Sequence, residues 1–272
     1  MSGIYWLASY PKSGNTWLRL LLRSYLAGGT AVDINAPAPD GWSLNGRAQF
    51  DAAIGVAASD LTDAGILAWW PSALRYWTQT RTAPAYLKTH DLCQPLDVTL
   101  GAVYLVRDPR DVALSLARQA DSSIDAAIAI MGTPDKIMGR SRDRLQSRLA
   151  QFWGSWSQNV ESWLAPAPFS VHVLSYEAMR ADPVAALSGL LPALGFSVDQ
   201  AAVEAAVAAT ALKSLRAQEA AMGFVEAEGP HPFFGEGRVA GWRTRLTPAQ
   251  RARIEADHGQ VMARLGYIDS DY

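Results

Sequence analysis

The chain has 272 residues, of which 49% are hydrophobic and 18% are charged. This balance favours one domain with a buried core and excludes global disorder. Twenty-four basic residues against 26 acidic ones leave a net charge of −2, which excludes the strongly basic surface of a general nucleic-acid-binding protein.

A single cysteine, Cys93, excludes an internal disulfide and a multi-cysteine zinc site, and it is typical of a reducing compartment. The first residues lack the basic and apolar regions of a secretion signal, and no stretch approaches 18 uninterrupted apolar residues. We therefore expect a soluble cytoplasmic protein with no membrane partner.

Four short runs of β-branched and aromatic residues predict buried strands. Because helical patterns separate several of them, they indicate an α/β fold, with a central parallel sheet flanked by helices. Ligands of such sheets bind at the carboxyl ends of the strands. The predicted strands are Ile4–Ser9, Ala85–Lys88, Ala102–Val106 and Ser170–Ser175.

Helical spacing predicts a first helix from Asn15 or Thr16 to about Leu26, with Arg19 and Arg23 on an exposed stripe. A tryptophan-rich stripe within residues 151–164 predicts a helix packed on the core, and a terminal helix is predicted over Thr247–Leu265.

The chain is expected to form one domain over residues 1–272. Within that domain, three segments with weak periodicity are expected to enclose the substrate or act as lids: 30–84, 119–150 and 215–241.

The loop after the first predicted strand has the chemistry of a phosphate cradle. It turns at Pro11 and Gly14 and enters a helix whose first amides favour an anion. Lys12 adds a mobile positive charge, and further donors are expected from Ser13, Asn15 and Thr16. The lysine precedes the glycine, so the order differs from that of a nucleoside-triphosphate loop, and no Mg²⁺ site is implied. Taken alone, the segment fits an ordinary strand–turn–helix equally well.

A second strand–turn–helix follows at residues 102–115. Asp108 is placed as the N-cap of its helix and Pro109 as the first helical residue. Arg107 at the strand end and Ser115 two turns along the helix could clamp a second phosphate. A surface position is expected for Arg110 and Arg118.

The third element is Lys88-Thr89-His90, at the carboxyl end of a predicted strand. A histidine near two phosphate-binding loops is suited to take a proton from a substrate hydroxyl, because its unperturbed pKa is near neutrality.

These three motifs, in this order, resemble those of the PAPS-dependent sulfotransferase family, where PAPS is 3′-phosphoadenosine 5′-phosphosulfate. Residues 10–17, Tyr-Pro-Lys-Ser-Gly-Asn-Thr-Trp, are similar to the family's 5′-phosphosulfate loop. Residues 104–115, Tyr-Leu-Val-Arg-Asp-Pro-Arg-Asp-Val-Ala-Leu-Ser, are similar to its 3′-phosphate motif. The resemblance implies a sulfotransferase that moves a sulfuryl group to a hydroxyl or amine of a small-molecule acceptor, with PAP as the nucleotide product, no metal and no nucleic-acid partner.

The resemblance also implies roles for individual residues. His90 is the base, Lys12 stabilises the leaving phosphate, and Lys88 completes the catalytic set. Trp17 is expected to stack on the adenine, and Arg107 and Ser115 to hold the 3′-phosphate. The full expected cofactor-binding set is Lys12, Ser13, Gly14, Asn15, Thr16, Trp17, Arg107, Ser115, Tyr176, Thr210, Leu212, Gly237 and Arg238.

Weaker matches lie downstream and include two departures from the family pattern. Leu212 stands where many members have an aromatic residue, and Gly235-Glu236 stand where the late loop usually has a basic pair before its glycine. We therefore expect Arg238 to close that loop. The segment Gly-Glu-Gly-Arg is similar to a segment of bacterial family members that sulfate glycopeptide-antibiotic aglycones, which favours a bacterial branch of the family.

Two alternative functions stay open: a nucleotide kinase of similar fold, and a non-catalytic nucleotide-binding relative.

Overall fold

The computed structural model describes residues 2–36, 46–139, 146–227 and 229–268. The strands of the described part are β1 (Ile4–Ser9), β2 (Ala85–Thr89), β3 (Thr99–Val106), β4 (Ile137–Met138), β5 (Gln151–Phe152) and β6 (Val171–Ser175). Four of them form a parallel sheet in the order β2-β1-β3-β6, which confirms the predicted α/β fold. β4 and β5 pair as a small antiparallel ribbon.

Helices cover both faces of the sheet. Those described are α1 (Asn15–Leu26), α2 (Arg47–Ile54), α3 (Asp63–Gln79), α4 (Pro109–Gln119), α5 (Ile124–Gly132), α6 (Trp156–Leu164), α7 (Tyr176–Ala181), α8 (Pro183–Leu190), α9 (Gln200–Ala209), α10 (Leu212–Met222), α11 (Trp242–Arg245) and α12 (Pro248–Arg264). The first helix and the terminal helix match their predictions. None of these described helices is long and apolar enough to cross a membrane.

The alternation of side chains along β1 divides the core into two parts. Ile4, Trp6 and Ala8 point to one face and pack with residues of α3, α4, α6 and α12. Leu7 points to the opposite face and packs with residues of α1, α8 and α9. Both faces of the sheet are thus buried, and the strand ends are left as the place where a ligand reaches the sheet.

The α4 N-terminus is built as predicted and also contains a buried ion network. Asp108 accepts a hydrogen bond from the Arg110 amide, and Pro109 is the first helical residue. The surface position expected for Arg110 is wrong. Its guanidinium is buried and pairs with Asp108 at 2.8 Å and with Glu255 of α12 at 3.0 Å. It also lies 3.8 Å from the ring centroid of Trp242. The network therefore ties α4 to α11 and α12.

Removing Arg110 should destabilise the fold strongly, because the buried Asp108 carboxylate would lose its ion partner and Glu255 would keep only the half-exposed Arg251. We expect Arg110→Ala to lower the free energy of unfolding by about 3–5 kcal/mol. Arg251 offers a matched control, since it reaches the same Glu255 from a half-exposed position. Arg251→Ala should cost less than about 1 kcal/mol. Urea unfolding measures both variants, and equal losses would contradict the assigned importance of the buried network.

Candidate active site

The residues predicted to carry the chemistry meet at the carboxyl edge of the sheet. The first loop follows β1, His90 follows β2, Arg107 follows β3 and Tyr176 follows β6. His90, Arg107, Tyr176 and the first-loop residues Pro11, Lys12 and Gly14 line a cavity of about 1150 Å³. Ser13 of the same loop is fully buried and is not among the lining residues. Because parallel strands end at one edge, residues distant in the sequence are brought together there.

The first loop, residues 10–14, has an unusual backbone that prepares the start of α1. Gly14 has a φ of 101°, and a Cβ at this position would lie 2.6 Å from the Tyr176 ring. Lys12 also has a positive φ, 68°, which is rare for a residue with a side chain and is typical of functional sites. No side chain of the described residues caps α1. Its first amides are therefore suited to an anion.

The loop side chains differ from one another in what they can offer a ligand. Ser13 is fully buried, and its hydroxyl has no hydrogen-bond partner among the described residues. The Thr16 hydroxyl accepts a hydrogen bond from Arg19. The Asn15 amide donates to the Leu7 carbonyl at 2.9 Å and to the Ser9 hydroxyl at 3.2 Å. The side-chain donor expected from Asn15 is thus used to hold the loop on β1.

Arg107 connects the first loop to the late loop, residues 229–241. Its guanidinium donates to the Lys12 carbonyl and to the Arg238 carbonyl, each at 3.1 Å, and stacks 4.3 Å from the Tyr176 ring centroid. Its Nε is buried and has no partner among the described residues. Arg107 thus fixes the mouth of the cavity while keeping one N–H that a ligand can use.

An aromatic wall stands beside the first loop. Trp17 meets Tyr176 edge to face, with 6.3 Å between ring centroids, and Arg180 lies 5.5 Å from the Trp17 ring. The Trp17 indole donates to the Thr210 carbonyl at 3.2 Å. Leu212 lines the cavity on this side, whereas Thr210 is fully buried behind Trp17.

His90 is held in a defined protonation state. Its Nδ1 lies 2.8 Å from the Ser9 carbonyl oxygen, which can only accept, so Nδ1 carries the hydrogen and Nε2 carries the lone pair. Burial and, next, the charge of Lys88 lower the pKa of His90 well below its usual value near 6.5. His90 is therefore neutral at neutral pH.

The backbone that carries His90 is anchored from α6 and β3. The buried Asn159 side chain donates to the His90 and Trp153 carbonyls, both at 2.9 Å. It accepts from the Tyr104 hydroxyl at 2.9 Å. The next residue, Asp91, accepts from the Phe152 amide at 2.6 Å and the Thr89 hydroxyl at 3.1 Å. The position of His90 is thus set by a network of neutral and charged groups.

Lys88 lies in a cluster with Arg19 and Glu226. Its Nζ is 3.6 Å from a Glu226 carboxylate oxygen, and Arg19 pairs with the same carboxylate at 2.6 Å. Burial and, next, the charge of Arg19 lower the pKa of Lys88 to about 8, while Glu226 opposes this shift. The exposed position expected for Arg19 is wrong, because the residue is partly buried and lines the cavity.

The late loop covers the first loop. The Lys12 ammonium lies 4.4 Å from the Phe233 ring centroid. Gly237 and Arg238 both line the cavity as predicted. The Arg238 side chain, however, is mostly exposed and pairs with Glu236 at 2.7 Å. In this structure, Arg238 therefore contributes to closure through its carbonyl rather than through its charge.

The described cavity wall is strongly cationic although the chain carries a net charge of −2. Nine basic side chains line it against three acidic ones. The basic residues are Lys12, Arg19, Lys88, Arg107, Arg118, Arg148, Arg180, Arg238 and Arg245, and the acidic residues are Asp111, Glu226 and Glu236. The motifs identified only part of this set. Arg148, Arg180 and Arg245 line the cavity but were not among the predicted site residues.

The three segments expected to enclose the substrate differ in where they lie. The segment 215–241 forms a large part of the cavity wall, and the segment 119–150 contributes Gln119, Ala120, Met138 and Arg148. The described part of 30–84, which includes α2 and α3, contributes no lining residue. The rest of 30–84 and residues 140–145 lie outside the described part.

Comparison with known proteins agrees with this geometry. The model of the sulfotransferase domain family matches residues 4–266. Sulfotransferase 1A1 of Rattus norvegicus is 26% identical over 271 residues, which cover 94% of this chain and 83% of that protein. Cytosolic sulfotransferase 17 of Arabidopsis thaliana is 23% identical, with 98% of this chain and 76% of that protein covered.

Two solved structures with the same fold are complexes with the nucleotide PAP. Mouse sulfotransferase SULT7A1 complexed with PAP has a TM-score of 0.63 and 20% identity, covering 98% of this chain and 86% of that one. Retinol dehydratase with androsterone and PAP has a TM-score of 0.60 and 17% identity, covering 99% and 81%. The resemblance drawn from the three motifs is confirmed, and the chain belongs to the sulfotransferase family and is an enzyme of that class.

Proposed function

We propose that this enzyme transfers a sulfuryl group from PAPS to a hydroxyl or amine of a small molecule, with His90 as the base. The observation that carries the proposal is a neutral histidine at the edge of a cavity whose described wall contains nine basic residues. When bound, PAPS supplies the sulfuryl group, and PAP is the product that leaves.

The residues of the cavity fit a doubly anionic adenosine nucleotide. The buried Ser13 hydroxyl and the Arg107 Nε lack partners among the described residues, as expected of groups that bind a ligand. Lys12, Ser13, the uncapped amides of α1 and the hydroxyl of Thr16 would hold the 5′ side. Arg107 and Ser115 would hold the 3′-phosphate, and Trp17, Tyr176 and Leu212 would border the adenine.

His90 would take the proton of the acceptor at Nε2. The hydrogen bond from Nδ1 to the Ser9 carbonyl fixes the tautomer, and the lowered pKa keeps the ring neutral. The same hydrogen bond stabilises the ring once it is protonated, because Nδ1 remains a donor. A positioned base of this kind contributes about 10²- to 10⁴-fold to the rate.

Positive charge would stabilise the leaving phosphate. Lys12 precedes α1 by three residues, has a positive φ, and places its ammonium over the Phe233 ring. Lys88, two residues before His90 on β2, lines the same wall. With a pKa of about 8, Lys88 stays largely protonated at neutral pH and offers charge beside the base.

The cellular location, the lid, the origin of the enzyme and the need for a metal are further parts of the proposal. One relative is named a cytosolic sulfotransferase, and a single cysteine suits the same compartment, which supports a cytoplasmic enzyme. Residues 215–241 form the lid of the single domain. The bacterial origin and a transfer step without metal stay predictions.

Binding of PAP tests the proposed donor directly. We expect PAP to raise the melting temperature, with a stabilisation of about 2.7 kcal/mol at 100 times its Kd. Thermal unfolding with PAP, ATP and AMP compares the three nucleotides. Stabilisation by ATP but not by PAP would favour the kinase alternative, and PAP binding without turnover of any acceptor would favour the non-catalytic one.

Replacing His90 should separate turnover from binding. Phenols, sugars, steroids and peptides are first screened as acceptors with labelled PAPS. With the acceptor found, His90→Gln should reduce kcat by about 10²- to 10⁴-fold and leave PAP affinity intact. His172→Gln is the matched control, because His172 on β6 is not among the cavity-lining residues.

The pH profile gives a second readout of the same residue. Since the pKa of His90 is lowered well below 6.5, kcat/KM should hold from neutral pH to below 6.5 and fall only at lower pH. For the substitution itself, a His90→Gln variant that lost kcat and PAP affinity by equal factors would contradict the assignment of His90 as the base.

Glu226 should set the charge of Lys88. The carboxylate favours the ammonium form, so Glu226→Gln should lower the pKa of Lys88 below about 8. The sequence has only four lysines, and ¹³C-methylation of their amines allows each to be titrated by NMR. Exposed Lys213 provides an internal reference signal. Titration of Lys88 at the same pH in both proteins would show that Glu226 does not support its charge.

A further inference from the structure

We propose that Arg118 of α4 supplies the cation that binds the 3′-phosphate of the nucleotide where the late loop has Gly235. The inference rests on the proposed PAPS-dependent function. It assigns a specificity role to an arginine that sequence reasoning expected at the surface.

The first argument is the space at Gly235. A Cβ built on this glycine would lie 2.3 Å from the Nη2 of Arg118 and 2.6 Å from its Cζ and Nη1. The backbone of Gly235 does not have a positive φ, so conformation does not require glycine there. The glycine is instead needed for room, because the Arg118 guanidinium fills the volume that a side chain from the loop would take.

The second argument is the position of Arg118 on α4. Ser115 and Arg118 are three residues apart, so they lie on the same face of the helix. Both line the cavity, and Arg107, which also lines it, lies two residues before the first residue of this helix. The Arg118 guanidinium also donates to the Phe233 carbonyl at 3.2 Å. Arg107, Ser115 and Arg118 thus form one row of donors along α4 beneath the late loop.

The third argument is charge. Glu219, the nearest acidic residue of α10, uses its carboxylate on the amides of Phe233 and Phe234, and Glu236 pairs with Arg238. Arg118 has no ion pair with any residue that the structure describes. Burial and, next, the charge of Arg245 lower the pKa of the Arg118 guanidinium, while the carboxylates of Glu219 and Glu236 oppose this shift. A phosphate at this place would relieve an unfavourable crowding of positive charge.

Calorimetry with two nucleotides tests the proposal. AMP lacks the 3′-phosphate that distinguishes PAP, so a residue that binds this phosphate affects PAP alone. We expect Arg118→Ala to weaken PAP binding by about 10- to 100-fold and to leave AMP binding unchanged.

Arg216→Ala is the matched control for a merely structural contact. Arg216 holds the same loop, because it donates to the Phe234 carbonyl at 3.0 Å and to the Gly235 carbonyl, but it does not line the cavity. Its loss should affect PAP and AMP by equal factors. If Arg118→Ala also weakens both nucleotides equally, Arg118 only anchors the loop and the proposal fails.

Two substitutions at Gly235 test the shared space independently. Gly235→Ala should keep the fold, since the atoms it meets are the end of a flexible side chain, and it should reproduce the selective loss of PAP by displacing Arg118. Adding Gly235→Arg to Arg118→Ala should restore PAP binding, because a guanidinium returns to the same volume from the loop. Unchanged PAP affinity in Gly235→Ala would overturn the proposal.

The wild-type protein separates this inference from the proposed function. Wild-type protein that binds PAP no better than AMP would overturn the proposed donor, and the present inference with it. Wild-type protein that prefers PAP, with Arg118→Ala keeping that preference, would overturn the present inference alone.

Discussion

The bridge made by Arg107 is the interaction on which the site depends. Its guanidinium joins the carbonyl of Lys12 in the first loop to the carbonyl of Arg238 in the late loop, across the Tyr176 ring. These loops lie more than 200 residues apart in the sequence. Arg107 directly follows β3, the strand that lies between β1 and β6 in the sheet. Arg118, Arg216 and Glu219 also hold the late loop, but Arg107 is the residue whose hydrogen bonds join it to the first loop.

The sheet explains why much of the site could be predicted. Strand patterns and turn residues are local, and parallel strands must end at one edge, so Lys12, His90 and Arg107 could be brought together by topology alone. The turn at Gly14 follows the same logic, because a cradle of amides needs a glycine there, whereas the positive φ of Lys12 could not be predicted from its residue type.

The residues that prediction missed owe their positions to tertiary contacts. Arg110 and Arg118 share one helix and one residue type, yet the first is buried against Glu255 and the second borders the cavity beneath Gly235. Helical periodicity gives the face of each residue but not the partner that covers it. Arg19 is paired with Glu226, which lies more than 200 residues later in the sequence. No local pattern contains that information.

Charge then couples these contacts to function. In a chain with a net charge of −2, nine basic side chains of the described residues line one cavity, and their mutual repulsion disfavours the folded arrangement. Carboxylates such as Glu226 and backbone carbonyls such as those of Lys12 and Arg238 offset part of it. A polyanionic nucleotide would offset more of this repulsion, because it would bind the same basic groups that hold the late loop. Binding of the donor and closure of the loop are therefore expected to strengthen each other, since both depend on the same guanidinium groups.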